Sequence, residues 1–289
     1  MWVVLRQYTP GRLSFVALCC GHCVRGTKQR DNLMDYQHVL RLFRFARNGN
    51  AGIFQRFPNM SKKTAIVQSN YIPWKGYFDM INLVDEFILF DDMQYTRRDW
   101  RNRNRIKTAS GVRWLTIPVE VKGKYFQKIK DTVVSDAAWN RKHWDSIVHS
   151  YSRTRHFRQY KETFEELYLG CSEKYLSRIN HRFLATICNL LGIDTKITWS
   201  MDYRLADGKT ERLVDLCKQV GADEYISGPT AKGYMDEEMF KKEGIKLSYM
   251  DYSGYPEYNQ LYPPFDHTVS IIDLIFNEGP NVQKYMKSF

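Results

Sequence analysis

Two short apolar runs, Thr64–Gln68 and Glu86–Phe90, stand on either side of a stretch with helical spacing, Trp74–Leu83, in which Tyr77, Phe78, Met80 and Ile81 recur. A helix between two such strands rules out a tight hairpin. The connection is a crossover, so the two strands lie parallel in one sheet. The same alternation returns later. Strands are predicted over Lys196–Trp199, Glu224–Ser227 and Lys246–Met250. They alternate with helices over Thr210–Val220 and Met235–Glu243, ended by Gly221 and Gly244. Ser270–Asn277 reads as a terminal helix. Between the two halves, Val112–Val119 alternates like a strand, with Pro118 placing it at an edge. Ala137–Tyr151, Phe157–Leu169 and Lys174–Leu191 follow as amphipathic helices. The expected fold is α/β: a mostly parallel, open, Rossmann-like sheet within residues 60–289, with a helical insertion at about 137–192.

The first 59 residues lack this alternation, and the text changes at Met60. Residues 1–59 are expected to be a disordered extension from an early gene start. A targeting or accessory segment is the alternative, since Leu13–Cys20 has the length of a signal-peptide apolar region but no convincing cleavage site. They also hold much of the charge. The chain carries +11, of which residues 1–59 carry +7, leaving +4 for the remainder. The body is thus mildly basic, which argues against a nucleic-acid partner that needs a broad basic face. No apolar run reaches the roughly 20 residues of a membrane span. Cys19, Cys20 and Cys23 cluster near the start without a second pair to close a zinc site, and no metal site is assigned. Cys171, Cys188 and Cys217 fall in helical apolar patterns and read as buried thiols. With no disulfide framework, a reducing, cytoplasmic setting is expected.

The chemistry concentrates between Asp91 and Lys107, directly after the second strand. Arg97, Arg98, Arg101, Arg103, Arg105 and Lys107 are interleaved there with Gln94, Tyr95, Trp100, Asn102 and Asn104. Arginine forks bind phosphate or carboxylate at two points, and amides and aromatic rings orient a flat polar ligand. This is the expected rim of a site for a small anionic molecule such as a nucleotide sugar. Arg97, Arg98, Arg103 and Arg105 would hold it, and Gln94, Asn102 and Asn104 would orient it. Asp91 and Asp92 are adjacent, so one of them is expected to enter the site, with Asp92 as a base. A solvated turn with local ion pairs is the structural alternative.

Other segments fall at the carboxyl ends of predicted strands, where open parallel sheets bind ligands. After the first strand, Asn70, Tyr71 and Trp74 precede a helix in a turn shaped by Pro73 and Gly76. After Glu224–Ser227, the run Ser227-Gly228-Pro229-Thr230 offers backbone amides through Ser227, Gly228 and Thr230, though it is not a Walker loop. His143 shares a helix with Trp139 and Trp144 and is either a second candidate base or a packed core residue. His267 lies on a loop and is a weaker candidate. Tyr249, Tyr252, Tyr255, Tyr258 and Tyr262 form either a binding wall or a packed flap.

The segments QSNYIPWKGYFDMI, EFILFDDMQYTRRDWRNRNRIK, WLTIPV, WNRKHW, YISGPTAKGYMD and SIIDLIFNEG resemble the WbqC-like family over about Thr64 to Gly279. Residues 1–59 fall outside that pattern. The resemblance implies a place in bacterial O-antigen and other surface-polysaccharide synthesis. It further implies a transferase that moves a glycine or other aminoacyl group to an amino sugar, with an aminoacyl donor as partner. A fainter likeness to nucleotidyl-transferring α/β enzymes fails at its phosphate-binding histidines, near which Trp74 and Tyr77 stand instead. The alternatives are a non-catalytic binder of a nucleotide sugar or glycan intermediate, or an aminoacyl-tRNA-binding protein. The residues name no cofactor.

Overall fold

The computed structural model describes residues 61–289 in full, together with the backbone of three short strands nearer the start. Those strands, β1 (Val3–Thr9), β2 (Arg12–Cys19) and β3 (His22–Arg25), form an antiparallel sheet in the order β1-β2-β3. They belong to a separate compact unit, Met1–Gln55. Apart from these strand backbones, the expectations on residues 1–59, including the Cys19–Cys23 cluster, lie outside the described residues.

The second unit, Arg56–Phe289, carries the α/β fold. Its sheet contains β4 (Lys63–Val67), β5 (Glu86–Leu89), β8 (Lys196–Trp199), β9 (Glu224–Ser227) and β10 (Lys246–Tyr249). A two-stranded antiparallel hairpin, β6 (Arg103–Thr108) and β7 (Gly111–Thr116), stands outside it. The sheet order is β10-β9-β4-β5-β8, and every pairing is parallel. The chain builds outward from β4 through β5 to β8, then returns to lay β9 and β10 on the other side of β4. The reversal point lies between β4 and β9, where open α/β sheets place their ligands. β4 and β9 pair only at Lys63–Glu224 and Thr64–Tyr225, at their first positions. Beyond these the two strands no longer pair.

Seven helices cover the sheet among the described residues: α1 (Lys75–Asn82), α2 (Trp139–Tyr151), α3 (Phe157–Leu169), α4 (Leu176–Leu191), α5 (Thr210–Gln219), α6 (Glu237–Lys242) and α7 (Ile271–Glu278). The strands alternate between two cores. Ala65, Phe87 and Leu89 pack with α1, α2, α3, α4 and α7, whereas Ile66, Ile88 and Tyr225 pack with α5 and α6. This follows from the two-residue period of a strand with both faces covered. In α4, Ile179, Phe183, Leu184, Ile187 and Leu191 recur at three- and four-residue spacing and are all buried. Each such side chain contributes on the order of 1.5–3 kcal/mol when removed from water. Gly192 ends that helix in a left-handed conformation, φ 71°. Cys171, Cys188 and Cys217 are free and buried, and burial pushes the Cys188 and Cys217 thiols up to about 12. No helix among the described residues is long and apolar enough to cross a membrane.

One element departs from the sequence reading. Val112–Val119 was expected as a single edge strand; its ordered part, β7, pairs instead with Arg103–Thr108 from inside the arginine-rich stretch. Asn104 and Ile106 face inward and are buried, while Arg103 and Arg105 face outward. The outer row is a cationic one stabilised by indole rings rather than by β-branched residues, so it does not look like a strand in one dimension.

Candidate functional site

β4 delivers the chain into the turn Gln68–Trp74, and this turn is held from several sides. Arg101 donates to the Gln68 carbonyl at 3.2 Å and to Oδ1 of Asn70. The Tyr71 amide donates to the Trp100 carbonyl at 3.1 Å. The Asn104 amide donates to the carbonyls of Tyr71 and Ile72, at 3.1 and 2.9 Å. Ile72 has a positive φ of 38°, an uncommon conformation for a β-branched residue. The C-terminal segment closes over the turn: the Ile271 amide donates to the Pro73 carbonyl at 2.9 Å and the Ser270 amide to the Arg105 carbonyl at 2.8 Å.

These contacts frame a cavity of about 250 Å³ lined by Asn70, Pro73, Trp74, Trp100, Asn104, Arg105, His267 and Thr268. It lies past the carboxyl end of β4. Two indoles, Trp74 and Trp100, contribute to its wall. Trp74 packs edge-on against Tyr252 and Tyr255, with centroids 5.2 and 5.4 Å away. Its ring lies so close over Gly76 that a Cβ there would meet it at 2.4 Å. Trp100 and Trp114 sit 5.3 Å apart and are 38 and 40% exposed. The Arg105 guanidinium lies 5.6 Å from the Trp100 ring and 5.4 Å from the Trp114 ring, and that of Arg103 lies 4.0 Å over Trp114. Such stacking fixes the planar forks while leaving donors open to a ligand. The Nε atoms of both arginines are buried and without a hydrogen-bond partner.

His267 is the titratable imidazole of the cavity wall. Its Nδ1 is buried without a hydrogen-bond partner. Burial lowers its pKa, and the nearby Lys75 ammonium adds to the effect. Lys75 is itself buried, donating to the Pro256 carbonyl at 2.9 Å, with the Tyr255 and Tyr258 rings 5.0 and 5.3 Å away. Burial brings it down to about 8, against the opposing pull of Asp79.

Of the residues singled out in the sequence, the fold brings Asn70, Trp74, Asn104 and Arg105 together at this cavity, with Arg103 stacked beside it. The rest lie elsewhere. Arg97 and Arg98 are exposed; Arg97 donates to the Val121 carbonyl at 3.1 Å, and the Arg98 carbonyl accepts from Arg103. Gln94 is exposed and donates to the Tyr125 carbonyl at 2.9 Å. Asn102 is buried and donates to the Ile117 carbonyl at 2.8 Å. Ser227 ends β9, Gly228 and Thr230 follow it, and none is part of the cavity wall. The five tyrosines divide: Tyr255 and Tyr258 are buried, and Tyr252 packs on Trp74.

The two expected bases need correction. Neither acid of the Asp91–Asp92 pair enters the cavity. Asp91 is fully buried, accepts from the Ser69 amide at 2.9 Å and from the Ser177 hydroxyl, and has its pKa raised by burial despite those bonds. Asp92 is paired with Lys130 at 2.6 Å and Lys128 at 3.4 Å and accepts from Ser200 Oγ at 2.9 Å. Burial works to raise its pKa, but these partners outweigh it and hold the carboxyl below its ordinary range. His143 is buried between Tyr71 and Thr116. Its Nε2 lies 3.1 Å from the Thr116 carbonyl, which only accepts, so Nε2 carries the proton. Nδ1 lies 2.9 Å from the Tyr71 hydroxyl. Burial, partly offset by the Thr116 bond, drives the His143 pKa down to about 4. Tyr71 is likewise buried, its hydroxyl 2.9 Å from that of Tyr168, and presents no face to a ligand.

The lining residues not assigned to the site from the sequence are Pro73, Trp100 and Thr268, with Arg101 behind Asn70; His267, the weaker histidine candidate of the sequence, also lines the cavity. Trp100 and Arg101 belong to the stretch already singled out. His267 comes from beyond the last strand, and its nearness to Asn70 follows only from the fold.

A family model described as the WbqC-like protein family matches residues 68–285, which contain all of these groups. The chain is also 51% identical over 226 residues to an uncharacterized protein, Rv1507c, of Mycobacterium tuberculosis (strain ATCC 25618 / H37Rv). That match takes in 78% of this chain and 98% of the relative. No solved structure matches. With three quarters of its length under the family model and a close, fully covered relative, the chain belongs to the WbqC-like protein family.

Proposed function

We propose that the cavity binds an anionic sugar, and that the chain is a cytoplasmic transferase of bacterial surface-polysaccharide synthesis that forms an amide or ester on that sugar. The observation carrying this reading is Arg105, its guanidinium beside the Trp100 and Trp114 rings, in a wall that also holds Trp74 and Asn70. A planar guanidinium fork recognises a carboxylate or phosphate, and flat aromatic faces cover the apolar face of a pyranose ring. At about 250 Å³ the cavity lies just below the range of about 300–1,000 Å³ common for small-molecule clefts. It accommodates one monosaccharide or amino acid; the nucleotide of a nucleotide sugar would extend through the open side. In an aminoacyl transfer, His267 would take the proton from the sugar amine as the new C–N bond forms and the bond from the acyl carbon to its carrier breaks.

A second reading, binding without turnover, is favoured by one feature: no carboxylate lines the cavity. Both readings share the ligand and part at the chemistry. Titration calorimetry of the full-length chain with nucleotide sugars, amino sugars, uronic acids and glycine tests the shared part. A saturable heat with one of these that is lost in Arg105→Ala supports it. Binding that ignores Arg105, or no binding by any of them, overturns it. Incubation with the bound sugar and an aminoacyl-tRNA then separates a transferase, which yields an aminoacylated sugar, from a binder, which returns the sugar unchanged.

A further inference from the structure

The segment Glu120–Lys130 holds two aromatic side chains in water. Tyr125 and Phe126 are 74 and 81% exposed, the most exposed large hydrophobic residues among those described. The loop that carries them is firmly built. Gln127 donates from its side chain to the Glu120 carbonyl at 2.7 Å and from its amide to the Lys124 carbonyl at 3.2 Å. Gln94 donates to the Tyr125 carbonyl at 2.9 Å, Arg97 to the Val121 carbonyl at 3.1 Å, and the Tyr95 amide to the Gln127 carbonyl at 2.9 Å. A loop anchored at both ends and in its middle does not expose two rings through looseness. Its charge is one-sided as well. Val121–Lys130 contains Lys122, Lys124, Lys128 and Lys130 and no acid. Glu120 answers Lys124, and Asp92 answers Lys128 and Lys130, which leaves Lys122 and the neighbouring Arg97 and Arg98 without an ion pair among the described residues.

We propose that this loop docks the protein on an anionic lipid bilayer, with Tyr125 and Phe126 entering the interface and Lys122, Lys124 and Arg97 facing the headgroups. Aromatic rings at the headgroup level and cations against anionic lipid are the two components of reversible membrane attachment. The geometry of the pair favours a bilayer over a nucleic acid. The two rings meet edge to face, at 90° with centroids 4.9 Å apart, so they do not present the two parallel faces on which successive bases stack. The bilayer interface imposes no such orientation. The proposal also accounts for Arg97 and Arg98, which the cavity does not use, and it stands independently of the ligand assigned to that cavity.

The test is sedimentation of the full-length chain with vesicles of phosphatidylcholine alone and of phosphatidylcholine with phosphatidylglycerol. Residues 1–59 carry a net charge of +7 and attract the chain to anionic vesicles by themselves, so the aromatic pair decides the matter. The wild-type chain is expected to bind the anionic vesicles. The double variant Tyr125→Ala/Phe126→Ala is expected to partition roughly tenfold less, with an unchanged thermal melt because both rings are solvent-exposed. Lys122→Glu/Lys124→Glu is expected to lose a similar factor, and to lose it only on anionic vesicles. Absence of wild-type binding overturns the proposal. So does binding that both double variants retain in full. Polyuridylate or tRNA that binds the wild-type chain and competes it off the vesicles, with Phe126→Ala abolishing the RNA complex, assigns the loop to nucleic acid instead.

Discussion

Asn104 stands directly beneath the turn at Tyr71 and Ile72, donating to both carbonyls at 3.1 and 2.9 Å while its own Oδ1 accepts from the Arg105 amide at 2.8 Å. One side chain therefore ties the loop after β4 to the strand that bears the arginine. It is buried, so these bonds have no ready exchange with water. Removing the amide strands two carbonyls and one backbone N–H in a region that cannot rehydrate without opening. Asn104→Ala is expected to cost about 1–3 kcal/mol of stability, read as a lower urea midpoint at constant m-value. An unchanged midpoint would show that the turn is held by its other contacts alone.

The arginines divide by environment, and their variants should divide likewise. Arg105 borders the cavity beside the Trp100 and Trp114 rings, whereas Arg97 is exposed and bonded to the loop at Val121. Loss of a charge-assisted contact typically costs about 1.5–3 kcal/mol, so Arg105→Ala should weaken binding of the anionic sugar roughly ten- to a hundredfold. Arg105→Lys should recover only part of that, because an ammonium neither forks nor stacks in the same way. Arg97→Ala should leave the small-ligand affinity unchanged. Equal losses from the Arg97 and Arg105 alanine variants in calorimetry would place the ligand outside the cavity.

His143 gives the fold a defined acid sensitivity. Its folded pKa is about 4, against about 6.5 in an unfolded chain. Between those values the unfolded chain takes up a proton that the folded chain refuses. Stability from this residue is therefore fully present above about pH 6.5 and declines as the pH falls toward 4, by on the order of 3 kcal/mol in all. Thermal melts at pH 7 and pH 5 read this. The wild-type chain should lose more stability across that interval than His143→Asn, which cannot take up the proton. Identical losses in the two proteins would mean that His143 is hydrated in solution.

The parallel sheet was legible because its strands are short apolar runs set between helices of clear period. Thr64–Gln68, Glu86–Phe90 and Glu224–Ser227 each fall within a residue or so of β4, β5 and β9. The site was less legible, for two physical reasons. The strand Arg103–Thr108 carries its alternation in the contrast between buried Asn104 and Ile106 and outward Arg103 and Arg105, and reads as a charged loop until the rings of Trp100 and Trp114 are placed over it. Charge density also identified the region without identifying the direction of each side chain. Asp92 and His143 have the chemistry of bases, but Lys130 and Ser200 saturate one, and Tyr71 and Thr116 the other. His267, from the C-terminal segment, is the imidazole that lines the cavity.

Gly76 offers a way to move one wall of the cavity without touching a polar group. It sits in the first turn of α1, where a Cβ would lie 2.4 Å from one carbon of the Trp74 ring and 2.6 and 2.8 Å from two others. No real side chain tolerates such approach, so in Gly76→Ala the indole must swing away. Alanine is otherwise the better helix residue, by about 1 kcal/mol, so the helix itself gains. The backbone of the turn keeps its bonds from Asn104 and Arg101, which do not involve Gly76. The expected result is a protein that melts close to the wild-type temperature but binds the sugar at least about tenfold more weakly, as stacking on one face is lost. Tryptophan fluorescence should shift to the red as Trp74 leaves its contacts with Tyr252 and Tyr255. Weaker binding without a spectral shift would place Trp74 outside the ligand's reach and assign the loss to the helix, whereas a shift with unaltered affinity would remove Trp74 from the site and leave Trp100 as its stacking surface.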